Sequence, residues 1–127
     1  MTKGIFTISL VIFPYDVIVS YAQNDKEIKS SLHELGVDEK TIKDVTLYPI
    51  SSYNGLCVPA NNNLQVVIRI KKGLDKYTKL GVVVHEVTHA TIFIYDAIGS
   101  KLTIDSSDEF YCYMNQYLTT EIMKKIE

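Results

Sequence analysis

Between Gly73 and Gly99 the chain runs from Leu74 to Ile98 without a proline and with a single glycine, Gly81. A stretch so free of breakers predicts a helix of about seven turns, around which the other elements must be arranged. Its middle, Gly81 to Ile94, is apolar almost all round, which predicts a helix buried on most sides. Three residues break that pattern: His85, Glu86 and His89.

In His85-Glu86-Val87-Thr88-His89 the histidines stand four residues apart, so they project from one helical face and their ring nitrogens can converge on one ion. Glu86, turned about 100° away, is then placed to reach a water on the ion instead of the ion itself. Burial of two imidazoles and a carboxylate is costly unless a metal or full pairing compensates. The pattern therefore predicts a zinc site, which needs a third protein ligand and leaves one position for water.

Candidates for that ligand lie downstream. A metzincin would place Gly at position 92 and its third His at 95, but these hold Ile92 and Tyr95. Asp96 shares the histidines' face yet lies roughly 10 Å further along the same helix. Glu109 lies ten residues beyond Gly99, enough chain to return past the rise of the helix. It has a competing assignment, because Ser106-Ser107-Asp108-Glu109 fits the S-x-x-E capping box, in which the glutamate only satisfies a backbone N–H. Asp108 is the reserve ligand. Tyr113, one turn past Glu109, is placed either to stabilise a developing oxyanion or simply to pack.

The remaining chain reads as an α+β domain spanning residues 1–127. Phe6, Ile8, Leu10 and Ile12 alternate, as do Val17, Val19 and Tyr21 after Pro14-Tyr15-Asp16, which predicts a β-hairpin. Asn24 or Asp25 caps a helix carrying Ile28, Leu32 and Leu35 and ending at Gly36. A helical turn at 38–43, an extended piece at 45–50 and a polar loop at 51–63 follow. Residues 64–71 alternate as a strand, with Gln65, Val67, Arg69 and Lys71 on a wet face, and this strand is expected to form the edge of a substrate cleft. A last helix over 107–125 carries Phe110, Met114, Leu118 and Ile122 as its apolar stripe, flanked by Glu109, Tyr113, Gln116 and Thr120.

Composition narrows the function classes. With 127 residues and 46% apolar, the chain can build one core without a metal or disulfide to hold it, so a bound metal has other work. Thirteen Lys and Arg against 15 Asp and Glu, with Arg69 the lone arginine, give no basic field for nucleic acid. No apolar run reaches the roughly 20 residues of a membrane span. Ser20-Tyr21-Ala22 resembles a signal-peptidase site, but Asp16 and the period-two pattern oppose that reading. Cys57 and Cys112 read as reduced thiols, His33 as a surface residue, and the compartment as cytoplasmic.

Val84-His85-Glu86-Val87-Thr88-His89-Ala90, followed by Asp108-Glu109-Phe110-Tyr111-Cys112-Tyr113 with Glu109 twenty residues past His89, resembles the gluzincin-type zincin metallopeptidases. The resemblance covers about residues 64–125, and more narrowly the chain is similar to the small single-domain HExxH proteins of phage and bacterial genomes. It implies zinc on His85, His89 and Glu109, with Glu86 as general base and a peptide or protein as substrate. The alternatives are a non-catalytic zinc-binding phage accessory, virion or assembly protein, and hydrolysis of a non-peptide amide.

Overall fold

The computed structural model describes residues 4–10, 13–62, 64–99 and 108–127. Four strands, β1 (Gly4–Ser9), β2 (Asp16–Tyr21), β3 (Gly55–Pro59) and β4 (Gln65–Ile70), form one mixed sheet in the order β1-β2-β4-β3. The helices are α1 (Asp25–Glu34), α2 (Glu39–Val45), α3 (Lys76–Ala97) and α4 (Asp108–Ile126). The architecture is α+β, as expected.

The predicted hairpin is present, with Gly4 opposite Tyr21 and Ser9 opposite Asp16. Ile12 lies outside the described residues. Helix α1 begins at the expected cap: the Asn24 side chain accepts from the Glu27 N–H, and Glu27 accepts from the Asn24 N–H in return. It ends at Gly36, whose φ of +77° is a conformation glycine adopts without strain. The Asp38 side chain accepts from the Thr41 N–H to cap α2, and the Asp75 side chain accepts from the Tyr77 and Thr78 N–H groups to cap α3.

Strand β2 runs parallel to β4, and a parallel pair needs a crossover connection. Here the crossover carries α1 and α2 over one face of the sheet, where Ile28, Leu32, Ile42 and Val45 pack on Ile18 and Val67. Helices α3 and α4 cover the other face through Val83, Val87, Ala90, Ile94, Leu118 and Ile122. The sheet therefore lies between two helical layers, and this corrects the wet face expected of β4. Val67 and Arg69 are each 1% exposed. Arg69 is accommodated by Asp25 Oδ1 at 2.7 Å and by donating to the Gln23 carbonyl at 3.2 Å.

Three further expectations change. Strand β4 is interior, paired on both sides, and the edge next to α3 is β3, which falls inside the segment read as a loop. Residues 45–50 are not extended: α2 runs through Val45, and a short 3-10 turn occupies Ile50–Ser52. Leu35, expected on the apolar stripe of α1, is exposed. Among the described residues no helix is long and apolar enough to cross a membrane.

Candidate metal centre

Helix α3 is not buried on most sides. Val83, Val87, Ala90 and Ile94 form the face that meets the sheet, while Val84, His85, His89 and Ile92 are exposed. The two histidines therefore do not carry the burial penalty expected of them, and the case for a metal rests on geometry. Their rings lie 4.9 Å apart between centroids at an interplanar angle of 73°. A donor nitrogen from each, together with a Glu86 carboxylate oxygen, falls within a 4.8 Å cluster. Two nitrogens on a tetrahedral zinc stand about 3.3 Å apart, inside that bound, so the pair can supply two of its ligands; among the described residues the cluster holds no His, Cys, Asp or Glu beyond these three. Phe93 stacks on His89 at 6.4 Å, a contact that helps to fix its ring.

Glu86 is the buried member, 6% exposed, because α3 turns it toward β3. The approach is so close that a Cβ built on Gly55 would stand 2.9 Å from Glu86 Oε2 and 2.7 Å from Val82 Cγ1. Burial raises the Glu86 carboxyl above the usual carboxylate range, and the neighbouring His85 opposes that shift. Cys57, two residues along β3, is raised by burial and then by the Glu86 charge, which keeps it a thiol. Tyr15 is pushed up to about 12 by burial, with a further contribution from Cys57.

This burial has a consequence for stability. A carboxyl whose pKa is raised on folding contributes stability below its unfolded value and loses it as pH rises through the folded value. In metal-free protein, Glu86→Gln is expected to match wild type near pH 4 and to melt higher than wild type at pH 7–8. A thermal-melt series across pH checks this; equal melting temperatures at both ends would sink it.

The structure does not bring Glu109 to the histidines. Helix α4 runs antiparallel to α3, with Tyr111 against Tyr95 at 5.5 Å, Asn115 Oδ1 2.5 Å from Thr91 Oγ1, and Lys79 Nζ 3.5 Å from the Ile126 carbonyl. That register sets Glu109 level with Asp96, about 10 Å beyond His89 along the axis, and its side chain is exposed. Asp108 opens α4, and Ser106 and Ser107 of the expected capping box lie outside the described residues. Tyr113 is also apart from the site: Asn115 faces α3, and Tyr113, about 200° away around α4, is 61% exposed on the far side.

Two residues that do shape the site, Gly55 and Cys57, were hidden in the polar loop reading. The one signal for them is the short apolar run Leu56-Cys57-Val58 between Gly55 and Pro59. Compared with protein-family models, with curated proteins and with solved structures, the chain matches none.

Proposed function

We propose that this protein is a zinc-dependent peptide hydrolase in which His85 and His89 hold the ion and Glu86 transfers the proton. The observation that carries the reading is the cluster itself: two imidazoles one helical turn apart with a buried carboxylate beside them. A zinc ion bound there supplies a Lewis acid for the scissile carbonyl and makes water a nucleophile at neutral pH. Glu86 accepts the proton of the attacking water and returns it to the departing amine nitrogen, a task suited to a carboxyl whose pKa lies above the usual range.

Strand β3 supports the substrate class. Ala60 donates to the Gln65 carbonyl and Lys71 to the Asn54 carbonyl, so alternation turns the main-chain groups of Gly55 and Cys57 away from β4, toward the open edge. An extended peptide added along that edge lies beside Gly55, against which the Glu86 side chain packs, with main-chain hydrogen bonds giving affinity.

Protein purified without chelator should contain about one zinc per chain and cleave an unstructured protein such as casein. Chelation should stop cleavage and lower the melting temperature while the circular dichroism spectrum stays native. A fully folded chain that takes up no zinc refutes the reading.

A further inference from the structure

Among the described residues, no strand pairs with the edge of the sheet opposite the candidate metal centre. Strand β1, Gly-Ile-Phe-Thr-Ile-Ser, carries no charge and no proline, the devices that ordinarily keep an edge from pairing. Leu10 donates to the Tyr15 carbonyl, so by alternation Gly4, Phe6 and Ile8 bond to β2, while Ile5, Thr7 and Ser9 turn their N–H and C=O groups outward.

A second, independent feature lies beside it. Helix α3 packs against β3 and β4, which leaves α4 over the β1–β2 half of the sheet, where Phe110 meets Phe13 of the hairpin turn at 6.0 Å. Since Asn115 faces α3, the opposite side of α4 looks toward the β1 edge, and it presents Tyr113 and Tyr117 at 61% and 43% exposure, with Phe110, which also meets Tyr95 of α3 at 5.9 Å, at its margin and 37% exposed. An aromatic row on a helix above an unpaired, uncharged strand has the form of an interface, two layers deep.

We infer that the occupant of this face is a second copy of the same chain, joined by antiparallel β1–β1 pairing into an eight-stranded sheet, with the aromatic rows of the two α4 helices packed together. A two-fold axis allows this, because an edge strand is complementary to its own antiparallel copy. Three part-exposed aromatics and one strand edge from each copy bury roughly 1,000 Å² in total, near the lower limit of specific interfaces, which predicts micromolar association. Both candidate metal centres then lie at the outer ends of the shared sheet, open to substrate.

Sedimentation equilibrium of the full chain tests this. Wild type should associate to twice 14.4 kDa with a micromolar dissociation constant. Thr7→Pro removes an outward N–H that β2 does not use, and it should weaken association at least about tenfold with an unchanged circular dichroism spectrum. Tyr113→Lys with Tyr117→Lys, at positions exposed in the single chain, should do the same, and this pair keeps the test decisive if proline disturbs the strand. A wild type that stays monomeric at about 200 µM overturns the inference. So does a dimer whose dissociation constant is unchanged in the tyrosine double variant.

Discussion

Zinc-loaded protein carrying Glu86→Gln is expected to retain about one metal per chain while its rate of peptide hydrolysis falls by about a hundred- to ten-thousandfold, the usual contribution of a general base. The amide keeps the shape of the side chain against Gly55 but can neither accept nor deliver the proton. His85→Ala should behave differently, losing the metal first and activity as a consequence, because a single imidazole cannot replace the chelating pair. Glu109→Gln completes the series. Placed level with Asp96, it should change zinc affinity less than about threefold, against at least about a hundredfold for His85→Ala. Metal titration of the three variants, each followed by a turnover assay, separates these outcomes. A Glu109→Gln protein stripped of zinc would show that the loaded site recruits α4 from a distance of about 10 Å.

What the sequence disclosed was local. The histidine pair needs only the helical period, and that period is evident in a run without breakers; the same holds for the alternating hairpin and the Asn24 cap. What escaped was set by tertiary pairing. Strand β3 is five residues long, starts with glycine and ends in proline, so its composition is that of a loop, and only its hydrogen bonds to β4 make it a strand. Arg69 reads as solvent-facing because an alternating pattern cannot announce that a parallel crossover will cover both faces. The third-ligand argument failed to specify a register. Chain length permitted Glu109 to return to the histidines, but the α3–α4 alignment follows Thr91 with Asn115 and Tyr95 with Tyr111, contacts between residues far apart in sequence.

The closeness of β3 to α3 makes Gly55 the position where one substitution should have the largest structural effect. A Cβ there meets Val82 Cγ1 at 2.7 Å and Glu86 Cγ at 3.0 Å, and Val82 is β-branched, with little rotameric freedom inside a helix. Glu86 can move its carboxylate; Val82 cannot easily yield. Gly55→Ala therefore displaces the Glu86 side chain or lifts the edge strand, and Gly55→Val, with two more methyl groups, is expected to cost about 2–3 kcal/mol, or roughly 6–12 °C in melting temperature. Zinc affinity should remain near wild type, since the three atoms nearest a Cβ at Gly55 belong to Val82 and Glu86 and not to either histidine. Turnover should fall by about a hundredfold, because a general base misplaced by about 1 Å loses most of its advantage. Val82→Ala supplies the missing room. Combined with Gly55→Ala it should recover stability but not full turnover, because the contacts with Glu86 Oε2 at 2.9 Å and Cγ at 3.0 Å remain, whereas Val82→Ala alone should cost stability through its cavity. A Gly55→Val protein with wild-type melting temperature and full turnover would falsify the close approach of β3 to α3 on which the placement of Glu86 depends.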